Sequence, residues 1–395
     1  MIRPLLIPFL LIAGFAPKCG DSSTAPSGGG STPPLNFQSI VVNAGPANNY
    51  LNGVFTSVTI CVPGQSACQT IGGVLVDTGS SGLRLLGNAV SLTLPPQTDA
   101  TGAPVAECFS FLDGYTWGSV QTADIKLGGE QASGVPIQII STAGLPAIPQ
   151  SCLNSGVSEN TLDTLGANGV LGVGLFREDC GPGCVATGSS NPGLYYACPF
   201  NGCRTIAQPL ARQLQNPVWL FPTDNNGVVI QLPTLAPGGA PSASGMMVFG
   251  IGTQSDNALG SAKVLTVDAN GSLSTTYGSQ TYAGSYIDSG TNGNFFLDSK
   301  TTGLAVCTQS TDFYCPPTLQ TLSATIRGIN NATSAVTFPV GNADALDGRF
   351  NAFSEVAGPN PGGFAWGLPF FFGRTIFTAI EGQTTPGGVG PYFAF

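Results

Sequence analysis

Gly73-Val74-Leu75-Val76-Asp77-Thr78-Gly79-Ser80 and Gly284-Ser285-Tyr286-Ile287-Asp288-Ser289-Gly290-Thr291 are two versions of one pattern. In each, a short apolar run meets an aspartate, and a hydroxyl residue, a glycine and a second hydroxyl residue follow. A strand would fix the carboxylate, and the glycine lets the backbone turn tightly and approach it. Ser80 and Thr291, three residues past each acid, can donate to an outer carboxylate oxygen, while Thr78 and Ser289 can brace the two loops against each other. A lone Asp-Thr-Gly is a common turn in β proteins. Here the pattern occurs twice, and each copy is trailed by an apolar run entered through a glycine. Asn168-Gly169-Val170-Leu171-Gly172-Val173-Gly174 follows the first, and Trp366-Gly367-Leu368-Pro369-Phe370-Phe371 the second. The same parts in the same order predict a duplicated lobe, with one carboxylate from each half meeting at a cleft between them.

Composition agrees with a strand-rich chain. The 395 residues include 55 Gly and 31 Pro, and only 8% are charged, while 42% are hydrophobic, enough to form a core. The apolar residues fall in short runs broken by Gly, Pro, Asn and Ser, which predicts an all-β fold; one short helix is expected over 207–215. Histidine is absent, which removes Ser-His-Asp and Cys-His catalysis and most catalytic zinc sites. A net charge of −9 with 12 basic residues argues against nucleic acid and anionic membrane surfaces as partners. Chemistry that runs on carboxylates alone survives this test. Two carboxylates held close cannot both ionise cheaply, so they share a proton. A water between them is polarised by the ionised partner and attacks a peptide carbonyl, while the protonated partner assists its oxygen. The scheme requires no metal and no cofactor.

The chain begins with Arg3 and an apolar run from Leu5 to Phe15, too short to span a bilayer and of signal-peptide form. Residues 1–19 are read as a signal peptide, with Cys19 as a candidate lipid-bearing cysteine and thus the one expected route to a membrane. Residues 20–36 read as a flexible linker, 37–235 as an N-terminal lobe and 236–395 as a C-terminal lobe, with the Pro/Gly/Ser-rich stretch 232–245 connecting them. Of 11 cysteines, ten remain once Cys19 is set aside, an even number that suits disulfides in an exported protein. Cys61 with Cys68, and Cys307 with Cys315, are each close enough to close a small loop. Cys180, Cys184, Cys198 and Cys203 form a cluster whose connectivity stays open, with a structural zinc site as the rarer alternative.

These islands resemble the pepsin family of two-lobed aspartic peptidases. Val76 to Ser81 and Ile287 to Thr291 look like its two active-site loops, 168–174 and 366–371 like the elements that thread beneath them, and 390–395 like its closing strand. Phe111-Leu112-Asp113-Gly114, followed by Gly118 and by Asp124 to Gly129, resembles the flap hairpin. The resemblance covers about residues 37–395 and looks closest to bacterial envelope members. It implies a double β-barrel with the cleft between lobes, a monomer acting on polypeptides, catalysis by Asp77 and Asp288, and support from Thr78, Gly79, Ser80, Ser289, Gly290 and Thr291. It also implies export, as a periplasmic, outer-membrane lipoprotein or secreted form. Phe111 stands where the family usually has a tyrosine, and Leu368 where it usually has an aspartate. The hairpin from about 109 to 124 is expected to overhang the cleft with its tip at 113–118, and at least one of Phe111, Tyr115 and Trp117 to face the acids. The opposing reading buries these rings as hairpin packing. Two other classes compete with the enzyme: a pepsin-like binding or inhibitor protein that does not cut, and a β-rich adhesin in which both motifs are turns.

Overall fold

A computed structural model describes residues 36–395. The expected signal peptide, Cys19 and the linker as far as residue 35 lie outside the described residues. Among the described residues, strands occupy 44% and helices 10%, and the strands form a closed six-stranded barrel and a nearly closed seven-stranded one. The helix expected over 207–215 is a single 3-10 turn, Leu210–Arg212. Its neighbouring glutamines explain the difference. Gln208 Nε2 donates to Arg212 O and Gln213 Nε2 to Gln208 O, both at 2.9 Å. Side-chain amides therefore satisfy carbonyls that a helix would bond along its own backbone.

Asp77 is the last residue of a strand and Asp288 follows directly on one, and each strand is locked from one side by a strand from far downstream. Cys68–Asp77 runs parallel to Gly169–Val173, with Asp77 opposite Gly172. Gly169–Val173 is in turn antiparallel to Ser81–Leu86, the strand leaving the loop. In the other half Gln280–Ile287 runs parallel to Asn360–Trp366, which is antiparallel to Asn294–Leu297. A glycine follows each threading strand because the loop above leaves no room for a side chain. A Cβ on Gly174 would lie 2.7 Å from Thr78 O, and one on Gly367 would lie 2.5 Å from Thr291 O. Gly174 is thus the structural counterpart of Gly367, not the leading Gly169.

The strands Phe37–Asn43, Ala243–Phe249, Gly227–Gln231, Thr375–Ala379, Tyr392–Ala394 and Val264–Thr266 lie side by side in that order and join the halves. Asn52, fully buried, adds a second tie. Its Nδ2 donates to Asn292 O (2.9 Å) and Phe353 O (3.0 Å), and its Oδ1 accepts from the Phe353 N–H (2.7 Å). The half carrying Asp77 is filled by β-branched and leucine side chains such as Val58, Ile60, Val74, Val76, Ile125 and Ile137. The other half is filled by rings. Phe296 and Phe364 stack at 5.4 Å, and Phe338 meets Trp366 edge-on at 5.0 Å. Each such side chain, fully buried, contributes roughly 1.5–3 kcal/mol.

Five disulfides close the ten cysteines in the described residues. Cys61–Cys68 and Cys307–Cys315 close the two small loops expected from their spacing. The open cluster resolves into Cys180–Cys184 and Cys198–Cys203, so its sulfurs are spent in bonds and the zinc alternative fails. Cys108–Cys152 joins segments 44 positions apart, a pairing that spacing gave no reason to expect. Such bonds are the chemistry of an oxidising compartment. Among the described residues, no helix is long and apolar enough to cross a membrane.

Candidate active site

The ends of the two aspartate-bearing strands meet face to face, and their surroundings match bond for bond. Asp77 Oδ1 accepts from the Gly79 N–H and Asp288 Oδ1 from the Gly290 N–H, both at 2.8 Å. The outer oxygens accept from the hydroxyls three residues on: Asp77 Oδ2 from Ser80 Oγ, and Asp288 Oδ2 from Thr291 Oγ1 at 2.7 Å. Each glycine also lies against the opposite acid. A Cβ on Gly79 would fall 2.7 Å from Asp288 Cγ, and one on Gly290 would fall 2.8 Å from Asp77 Oδ1. Neither glycine has a positive φ, so the requirement is close approach and not backbone conformation. Asp77 is buried and Asp288 half-buried. Burial, then the charge and hydrogen bond of Asp77, push Asp288 well above the usual carboxylate range. The pair is therefore built to hold one proton between two oxygens.

Beneath the acids, Thr78 and Ser289 exchange backbone bonds. Thr78 N–H donates to Ser289 Oγ (3.1 Å), Ser289 N–H donates to Thr78 Oγ1 (2.9 Å), and Ser289 Oγ donates to Val76 O (2.8 Å). Both side chains are buried, at 2% and 0% exposure, so the two loops are fixed to one another without water.

A buried ionic cluster holds the first loop from behind. Arg84 Nη1 donates to Ser81 O at 3.0 Å, and Nη2 pairs with Glu107 Oε1 (2.7 Å) and Asp179 Oδ2 (3.0 Å). All three side chains are fully buried. Two acids on one guanidinium leave an excess negative charge. Burial and then the Glu107 charge accordingly push Asp179 well above the normal range. Tyr195 Oη donates to Asp179 Oδ1 at 2.7 Å and accepts from Leu214 N–H at the same distance. The guanidinium carbon sits 3.6 Å over the Phe109 ring, which meets Phe111 edge-on at 4.9 Å. A chain of contacts thus runs from the loop after Asp77 to the hairpin turn.

The hairpin itself departs from expectation. Its strands are Val105–Ser110 and Gly114–Leu127, so the turn is at 111–113 and not 113–118. Gly114 and Gly118 lie in strand, at points of close approach: their Cβ positions fall 2.4 Å from Val157 O and 1.9 Å from Ile139 O. Tyr115 and Trp117 are buried with Cys108, Cys152, Tyr196 and Cys198. Two positions apart on a strand, they share one face, and the turn at 150–153 and Tyr196 cover that face. Both rings are packed within the lobe, as the opposing reading has it. Phe111 is half-buried against the cluster containing Phe55, Leu75 and Leu86.

Three groups around the acids and the hairpin turn were not legible from motif reading. Tyr50 packs on the same cluster as Phe111, with Phe55 edge-on at 5.5 Å. Its phenol is pushed upward by burial, then by Asp113, Asp77, Glu159 and Asp288 in that order. The phenol thus lies within electrostatic reach of the central acids and of Asp113. Glu159 is pushed up to about 8, by burial first and by Asp113 second. Tyr286, two residues before Asp288, is pushed up to about 12 by burial and by the Asp288 charge.

One family model, described as "Protein of unknown function (DUF3443)", matches residues 32–395. No curated protein sequence matches the chain. Among solved structures, the aspartic proteinase from Irpex lacteus superposes with a TM-score of 0.52, at 17% identity, over 90% of this chain and 96% of that one. At that identity the likeness is one of fold: two-lobed and pepsin-like.

Proposed function

The chain belongs to the DUF3443 family, and for it we propose the activity of an aspartic endopeptidase, with Asp77 and Asp288 as the catalytic pair. The observation that carries this reading is the matched pair itself. Two acids from two loops have identical donors, and each loop's glycine is pressed against the partner's carboxyl. Asp288 holds the shared proton, and the remaining carboxylate polarises a water placed between the two. The water attacks the peptide carbonyl carbon, its proton passes to the base, and Asp288 donates to the carbonyl oxygen as the tetrahedral intermediate forms. Thr78, Gly79, Ser80, Ser289, Gly290 and Thr291 hold the pair, and Phe111 is the one of the three expected aromatics left for a contact with substrate. Pepsin-like proteins that bind without cutting usually lose an acid or its neighbouring hydroxyl, and the intact sets on both loops favour the cutting protein. The five disulfides support an exported protein, in keeping with the signal-like start and the bacterial envelope resemblance.

The test is to incubate the purified chain with a mixed peptide library across pH, with and without a statine-type inhibitor. Cleavage at acid pH that the inhibitor blocks is expected. Asp77→Asn and Asp288→Asn should each lower the rate by several orders of magnitude while the fold persists, because an amide can neither activate water nor share the proton. Most activity surviving in either variant removes that residue from the site.

A further inference from the structure

The strand Thr333–Val340 lies at the end of its sheet and is paired on one side only, with Gln320–Arg327. Its alternate residues therefore turn their backbone groups away from the sheet, and the turn before it shows which. Gly328 N–H donates to Ala332 O at 3.0 Å, so even-numbered positions face the partner strand and odd-numbered ones face outward. The rest of the strand agrees. Thr337 O accepts from Arg374 Nη2 at 3.0 Å, Gly341 N–H donates to Glu355 O at 2.8 Å, and Pro339, which has no N–H, takes an outward position. Among the described residues, the N–H and C=O of Thr333 and Ala335 and the N–H of Thr337 are left without a backbone partner. This open edge borders a cleft of about 620 Å³, whose lining includes Ala335, Thr337, Leu259, Ala262, Phe377 and Arg374.

Arg374 stands where the open edge stops. Its Nη1 donates to Phe370 O at 2.7 Å and its Nη2 to Thr337 O, and the guanidinium lies 4.5 Å over the Phe370 ring. All of these partners are neutral. Arg374 is half-buried, burial pushes its guanidinium down, and among the described residues it forms no ion pair. A cation drawn out of water without a countercharge is costly. Its remaining N–H donors have the fork geometry that fits a carboxylate.

We propose that this cleft binds the C-terminal end of an extended, apolar polypeptide, which adds as a parallel strand along 333–337 and sets its terminal carboxylate on Arg374. The direction follows from where the edge ends. Past Thr337 an added strand meets a C=O already held by Arg374, a proline without an N–H, and an N–H already given to Glu355 O. A chain running with Thr333–Val340 has to stop there, and its own end supplies the missing negative charge. In strand addition the backbone bonds give affinity; here the carboxylate contact selects a chain end, and Leu259, Ala262 and Phe377 select apolar side chains. None of these residues belongs to the aspartate loops or the hairpin, so the site is independent of the peptidase reading.

The test offers the immobilised full chain, in excess statine-type inhibitor at neutral pH, a random octapeptide library in two forms: free acid and C-terminal amide. Enrichment from the acid pool should exceed that from the amide pool by about ten- to a hundredfold, the range for a hydrogen bond to a charged group. Arg374→Gln, which can still donate to Thr337 O, should erase that preference. Ala335→Pro removes one outward N–H at a position where an edge strand tolerates proline; it should abolish capture while the urea midpoint stays close to that of the wild type. With a selected peptide bound to the wild type, hydrogen exchange at the Ala335 and Thr337 amides should slow. Equal enrichment of acid and amide, a preference that survives Arg374→Gln, capture that survives Ala335→Pro, capture from neither pool, or unchanged exchange at 335 and 337 overturns the proposal. Capture by a chain that cleaves no peptide would sink the peptidase reading alone.

Discussion

Replacing Ser289 by alanine removes one oxygen and, with it, two of the bonds that hold the two aspartate loops together. Ser289 Oγ accepts from Thr78 N–H at 3.1 Å and donates to Val76 O at 2.8 Å, in a position with no exposure to solvent. Water cannot take its place. The Thr78 N–H is left without a partner, at about 1–3 kcal/mol, and the lost bond to Val76 O adds roughly 1 kcal/mol. Ser289→Ala should therefore destabilise the chain by about 2–4 kcal/mol. The void is the size of one oxygen, so packing contributes little. The second effect is on geometry. Thr78 and Ser289 directly follow the two acids, and misplacement of a reacting group by about 1 Å can lower a rate about a hundredfold. Urea unfolding followed by tryptophan fluorescence measures the first effect, and kcat/KM on a peptide at acid pH the second. A loss below about 1 kcal/mol together with undiminished hydrolysis would refute the claim that this exchange of bonds fixes the spacing of the pair.

Two further outcomes follow from buried charge. Arg84→Met strands Glu107 and Asp179 without their countercharge and should lower stability by about 3–5 kcal/mol; part of that loss should return as pH falls and the acids protonate, and a urea midpoint unchanged at neutral pH sinks the argument. The raised Asp288 sets the acid dependence: its contribution to stability is full below the usual aspartate value of 3.8 and is lost as pH rises through its higher folded value. Asp288→Asn, which does not titrate, should accordingly become more stable than the wild type with rising pH in melts from pH 3 to 8. Hydrolysis by the wild type should fall over the same rise.

The central loops were legible because eight contiguous residues carry everything an acid needs: its strand, its glycine N–H and its hydroxyl donor. The approach of Gly79 to Asp288 and of Gly290 to Asp77 crosses from one loop to the other and is not carried by either copy of the pattern. Contacts that depend on distant partners left no such trace. Arg84 meets Asp179 across 95 positions, Cys108 finds Cys152, and Glu159 reaches back to Gly114; none of these spacings is a motif. The hairpin aromatics went astray for a related reason. Alternation shows that Tyr115 and Trp117 share a face, but which face is covered is decided by Cys152 and Tyr196, brought in from later in the chain. The helix expected over 207–215 failed because two glutamine side chains compete for its carbonyls, and propensity sums do not include such rivals.

The sheet that joins the halves has a consequence for how the chain reaches this state. Asn36 and Phe249, 213 positions apart, are hydrogen-bonded at one edge of its first strand pair, and Asn52 waits for Phe353, 301 positions away. Pairings this remote must close very long loops before they return any stabilisation, which places the chain among slow folders by topology. Until Ala243–Phe249 arrives, Phe37–Asn43 presents an open strand edge, the kind of surface on which chains aggregate. Synthesis of the first half alone should therefore yield an insoluble fragment, whereas co-expressing the two halves as separate polypeptides should recover soluble material through this shared sheet.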